Sequence, residues 1–76
     1  MDKMTRAQVA ETLLRDPVLL EAFNLVKQRQ IEVFEYAKSS QEDIMEAHRM
    51  VRALVLLEDQ LKTFVTDGKL LEKRNK

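Results

Sequence analysis

Apolar residues return along this chain at alternating steps of three and four, the spacing that aligns side chains on one side of an α-helix. One such set is Leu19, Phe23, Val26, Val33 and Ala37, with Gln30 filling one step and Leu20, Ile31 and Phe34 widening the seam into a face. A second set is Ile44, Ala47, Val51, Leu54, Leu61 and Val65, interrupted by Glu58, with Met50, Leu57 and Phe64 on an adjoining line. A shorter set, Ala10, Leu13 and Leu14, precedes both. Apolar and polar residues do not alternate over the length of a strand, and no repeat or low-complexity segment is visible. The pattern predicts an all-α chain with a short helix over about 6–15 and two longer helices over about 17–38 and 41–66.

The residues between these sets supply starts and stops. Thr5 and Gln8 have capping-box spacing, with Met4 and Val9 placed as a hydrophobic staple, so the first helix is expected to begin near Arg6. Glu11 lies four residues before Arg15, an order that supports a helix. Pro17 pushes Asp16 out of the α region and ends that helix. The same Asp16-Pro17 pair opens the next one, since Asp accepts from free amides and Pro at the first position has no N–H to leave unpaired. Lys38-Ser39-Ser40 reads as the following turn. Either serine can cap the third helix with Glu42 or Asp43 as reciprocal partner, and Glu42, Asp43 and Glu46 then sit at the positive end of its dipole. Asp67-Gly68 reads as the end of that helix, with Gly68 in a left-handed C′ position and Leu70 folding back. Residues 69–76 are then expected to form a basic, frayed tail on a single helical domain spanning 1–76.

A short turn makes its two helices antiparallel. With the centre near Ser39, facing residues are Leu19 with Leu61, Phe23 with Leu57, Val26 with Leu54, Val33 with Ala47, and Ala37 with Ile44. Every pair is apolar, so the register agrees with the caps.

The run from Val51 to Leu57, broken by Arg52, is apolar around nearly the whole circumference of its helix, more than one neighbouring helix can cover. The expected hairpin leaves Leu20, Ile31, Phe34, Met50, Val55 and Leu56 partly uncovered, and the first helix is too short to shield them all. If half of them stayed exposed, the forgone burial would be on the order of 5 kcal/mol at ~1.5–3 kcal/mol per large apolar side chain. That rivals the stability of a small domain. A symmetric dimer, two hairpins face to face, recovers it, and these residues form its expected interface.

Composition narrows the options further. The chain has 76 residues, 13 basic and 13 acidic, and no cysteine. A disulfide framework and thiolate zinc sites are excluded, and a core of this size rarely contributes more than ~3–5 kcal/mol unaided. Self-association is the expected substitute. A net charge of zero gives no general attraction to polyanions. No apolar stretch reaches the ~18 residues needed to span a bilayer, and the start MDKMTRAQ lacks the apolar segment of a secretory signal. The expectation is a soluble protein of a reducing cytoplasm.

Candidate chemistry is sparse. His48 is the only histidine, and the residue three before it is Met45 rather than the Glu that a helical di-metal site requires. Glu32 and Glu35 beside Tyr36 make an acidic cluster, but paired carboxylates become catalytic only in a pocket that shifts their proton affinities. No glycine-rich phosphate loop or nucleophile elbow is present. No enzymatic activity, metal or cofactor is expected. Gln30 and Glu58 interrupt apolar seams, either as edge residues reaching water or, for Gln30 facing Met50, as a register-fixing polar group. Met4, Met45 and Met50 read as staple and core fillers. Basic residues gather at Lys27, Arg29, Arg49 and Arg52 and in the tail at Lys69, Lys73, Arg74 and Lys76. They support an alternative reading as a small DNA-binding or regulatory protein using Arg49, Arg52, Lys69, Lys73 and Arg74. Neither helix-turn-helix spacing nor interleaved aromatics accompany them.

The strings LLRDPVLLEAFNLV (Leu13 to Val26) and FVTDGKL (Phe64 to Leu70) resemble a family of small helical proteins of tailed bacteriophages and prophages, encoded among head-morphogenesis genes. The resemblance rests on the Leu-Leu-x-Asp-Pro break, the Glu-Ala-Phe of the second helix and the Asp-Gly-Lys-Leu closure, which are structural positions with no catalytic motif among them. It implies an accessory or virion-assembly protein acting by contact in a bacterial host or in the virion. Its partner would be a phage structural protein or a host protein.

Overall fold

A computed structural model describes residues 1–74, and these form three α-helices without a strand: α1 (Lys3–Arg15), α2 (Pro17–Glu35) and α3 (Gln41–Arg74). The all-helical class read from the sequence is what the chain adopts. At ~1.5 Å per residue α3 is roughly 50 Å long, and it accounts for most of the 58 Å length of a molecule only 21 and 18 Å across. Both shorter helices pack on it, α1 more extensively than α2, and they scarcely touch each other. An ion pair from Arg6 to Asp67 ties α1 to the far part of α3, and one from Lys27 to Glu58 ties α2 to its middle. The two shorter helices therefore occupy successive stretches of one long rod.

Asp16 separates them in the expected way. Its carboxylate accepts from the N–H groups of Val18 and Leu19 at 2.8 and 3.1 Å, and Pro17 takes the first helical position. Ser40 caps α3 reciprocally with Asp43: the Asp43 N–H donates to the Ser40 hydroxyl and the Ser40 N–H to the Asp43 carboxylate.

Three helix ends lie elsewhere than the sequence pattern predicts. α1 starts at Lys3, because Asp2 caps it: the Thr5 N–H and hydroxyl both donate to the Asp2 carboxylate, at 2.8 and 2.9 Å. Met4 and Val9 are then both inside the helix, and no staple forms. α2 stops at Glu35, with Tyr36 extended at ψ 115° and the Ser39 N–H closing a turn onto the Tyr36 carbonyl. Its last turn carries Glu32 and Glu35 and no basic residue, which sets negative charge against the negative end of the helix dipole and favours early termination. α3 runs past Asp67-Gly68 to Arg74, and Gly68 has no positive φ. The expected frayed tail is thus helical from Lys69 to Arg74, while Asn75 and Lys76 lie outside the described residues.

The covered apolar side chains among the described residues are Ala7, Ala10, Phe23 and Ala47, and Gly68 is also buried. Small residues therefore occupy the tightest contacts, while Leu14, Leu19, Leu20, Val26, Val33, Val51, Leu54, Leu61, Phe64 and Val65 are half-buried around them. From Ala47 to Val65 the α3 seam matches the periodic set read from the sequence, while Ile44, its first member, is exposed. Two expected pairs fail: Phe23 is covered but Leu57 is 52% exposed, and Ala37 lies beyond the end of α2, exposed like Ile44, so neither pair shields itself.

Candidate interaction surface

A close approach joins α1 to α3. A Cβ added to Gly68 would collide with the Cβ of Ala7, so the two backbones meet where neither residue has bulk. One turn earlier on α3, Phe64 stands beside this dip. The Arg6 guanidinium lies over its ring, 4.0 Å from the centroid, and reaches Asp67 at 3.7 Å. A cation over an aromatic face and a carboxylate on the same guanidinium hold α1 in register. The Arg6 Nε is covered and without a hydrogen-bond partner among the described residues. The sequence pattern assigns no contact to Arg6 or Ala7, and it reads Gly68 as a helix terminus rather than a contact residue. Ala7 with Ala10 three residues on, and Gly68 four after Phe64, were the available signal: small residues spaced along a helix face mark where another backbone can come close.

In the middle of the molecule Glu58 sits in the α3 seam, half-buried, with Lys27 of α2 at 3.7 Å and Lys62 of its own helix at 3.9 Å. Its polar interruption of an apolar line is an interhelical ion pair. Gln30 is half-buried and Met50 is exposed.

Beyond these contacts the surface is unusually apolar along α3 and the end of α2. Of the residues read as an interface, Leu20 is half-buried, while Ile31, Phe34, Met50 and Val55 are each about 40% exposed and Leu56 is 63% exposed. They do not share one face. Met50 and Val55 are five residues apart, about 140° round the helix at ~100° per residue, and so lie on opposite flanks of the seam. Val51, Arg52, Val55, Leu56 and Asp59 line a shallow, open depression of about 280 Å³ on one flank. Two further depressions of about 180 Å³ lie along the α1–α3 groove, one of them lined by Met4, Ala7, Gln8, Val65 and Gly68. All are smaller than the roughly 300–1,000 Å³ of small-molecule sites.

The basic residues of the alternative reading are dispersed. Arg49 is engaged by Glu46 at 3.3 Å. Arg52 and Lys69 are separated by roughly 25 Å along the helix. Lys69 borders the α1–α3 groove with Glu72, and Arg74 borders Lys3 and Asp67 on the other side of the rod end. His48, Glu32, Glu35 and Tyr36 are exposed, and among the described residues no His, Asp and Glu cluster could hold a metal ion. No described helix is long and apolar enough to cross a membrane. Comparisons with protein-family models, curated proteins and solved structures gave no match.

Proposed function

We propose that this chain is a non-catalytic interaction protein that works by self-association, with α2 folded back along α3 as an antiparallel hairpin and the apolar surface of that hairpin as its contact. The observation that carries this reading is the inversion of the core. Alanines and one phenylalanine are covered, whereas Leu56, Leu57, Met50, Val55, Ile31 and Phe34 remain in water. Burying a large apolar side chain stabilises by ~1.5–3 kcal/mol, so a second copy recovers free energy that the monomer leaves unused. The Lys27–Glu58 ion pair and the short connection over 36–40 support the fold-back. Exposed large apolar side chains on both flanks of a small chain's seam are what contact proteins present. Together with the resemblance of Leu13–Val26 and Phe64–Leu70 to small phage proteins, it favours an assembly role beside phage structural or host proteins, in the host cytoplasm or in the virion.

Light scattering over a concentration series tests this. The unmodified protein is expected to be an oligomer at high micromolar concentration, and Phe34→Glu and Leu56→Glu to yield smaller, less stable species. An unmodified chain that stays monomeric throughout that range ends the reading.

A further inference from the structure

The flank of α3 that holds Val55 and Leu56 has an internal symmetry. Arg52 and Asp59 stand at equal distances on either side of the Val55–Leu56 pair, and all of them border the same shallow depression. Both charged residues are exposed, and among the described residues neither has an ion-pair partner. Seven residues apart on one helix, about 10 Å along its axis, they do not pair with each other. Continuing outward along this stripe at steps of three and four come His48 and Met45 on one side and Thr63 and Thr66 on the other. The stripe lies about a third of a turn round α3 from Ala47, Leu54 and Glu58, the seam residues covered from the other side, so α2 does not obstruct it.

A surface that meets its own copy across a two-fold axis must be self-complementary: whatever residue i meets, the partner's residue i meets in return. Reversing this stripe about the Val55–Leu56 midpoint brings Val55 and Leu56 of both copies together at the axis and sets Arg52 opposite Asp59, with His48 level with Thr63 and Met45 level with Thr66. No like charges oppose each other. Arg49 and Lys62, which the same operation brings level, lie about 140° apart round the helix and so on opposite margins of the stripe. A partner of unrelated sequence has no reason to match this symmetry.

We propose that the occupant of this flank is a second copy of the chain, docked α3 against antiparallel α3 about a two-fold axis. Val55 and Leu56 of both copies form its apolar centre, and two reciprocal Arg52–Asp59 ion pairs close its ends. This rests on the reading above that the chain self-associates, and adds the face, direction and register. Val55 and Leu56 supply the attraction. The ion pairs select the antiparallel arrangement, because the parallel one sets Arg52 against Arg52 and Asp59 against Asp59.

Charge exchange tests the geometry while leaving the apolar centre intact. Arg52→Asp and Asp59→Arg each create two like-charge contacts across the axis, and each is expected to weaken self-association roughly tenfold or more in sedimentation equilibrium. The two single variants mixed together restore opposite charges at both ends, so a heterodimer is expected at close to the affinity of the unmodified protein. Arg52→Asp combined with Asp59→Arg in one chain should also recover. Helical circular dichroism of each variant should be unchanged, since both positions are exposed. If single variants associate as well as the unmodified chain while Leu56→Glu does not, the register proposed here is wrong and the self-association reading stands. If single variants dissociate and neither the mixture nor the double exchange recovers, the antiparallel two-fold is wrong. An unmodified chain that never associates overturns both proposals.

Discussion

Gly68 shows how one residue can carry opposite structural meanings. Following Asp67 at the end of an apolar series, it reads as a left-handed helix terminus, yet it lies inside α3 without positive φ, against Ala7. Glycine within a helix costs about 1 kcal/mol relative to alanine, and the close passage of α1 offsets that cost. Gly68→Ala should therefore lose stability despite its better propensity, since inserting a methyl into a filled contact typically costs ~1–3 kcal/mol. The expected net is a loss of about 1 kcal/mol, seen as a lower urea midpoint at unchanged slope. Adding Ala7→Gly to the same chain should return most of it by making room for the new methyl. A terminal left-handed Gly68 would also resent alanine, but Ala7→Gly would then rescue nothing, so the double variant decides. Arg6 belongs to the same contact. In the sequence it marks only the expected start of the first helix, and the position of Phe64 and Asp67 on another helix makes it a clamp.

At the scale of the element, caps explain both the agreement and the displacement between pattern and structure. Asp16-Pro17 and Ser40 with Asp43 act where their chemistry predicts. Thr5 is instead a donor to Asp2, three residues earlier, because a carboxylate accepts more strongly than a hydroxyl and two donors converge on it. The Thr5 backbone N–H, and after it the Thr5 hydroxyl, hold the Asp2 carboxyl below its ordinary pKa. A depressed carboxyl pKa contributes stability that is complete above the unfolded value and lost as pH falls through the folded value. The first turn of α1 should therefore loosen in acid, below the ordinary aspartate range. Backbone chemical shifts of Lys3 to Arg6, followed down the pH scale, should move toward coil values. Asp2→Asn, which keeps a capping oxygen but does not titrate, should flatten that dependence. Equal acid response in both proteins would remove Asp2 as its source.

At the scale of the molecule, a 34-residue helix carries two shorter ones along its length, leaving flanks whose apolar side chains are exposed among the described residues. If a second copy covers them, unfolding is coupled to dissociation, and mass action makes the melting temperature depend on protein concentration. Each tenfold increase should raise it by a few degrees for a chain of this size, and Leu56→Glu should abolish the dependence. A melting temperature independent of concentration in the unmodified protein would mean that the monomer is the folding unit.

Local chemistry in the sequence was enough to determine the helical class, the break at Asp16-Pro17, a serine cap at 39 or 40 and the seam from Ala47 to Val65, because periodicity and capping involve residues within a turn or two of each other. Excess apolar surface was legible too, since no single neighbour can cover the circumference of the Val51–Leu57 run. Tertiary structure alone decided that α3 continues through Gly68, that Arg6 and Ala7 are contact residues, that Phe23 is covered without Leu57, and that the exposed apolar residues divide between two flanks. These depend on which helices come together and at what rotation. That is set by the fit of Ala7 into the gap at Gly68 and of Arg6 over Phe64, between residues some sixty positions apart in the chain, and no local pattern records it.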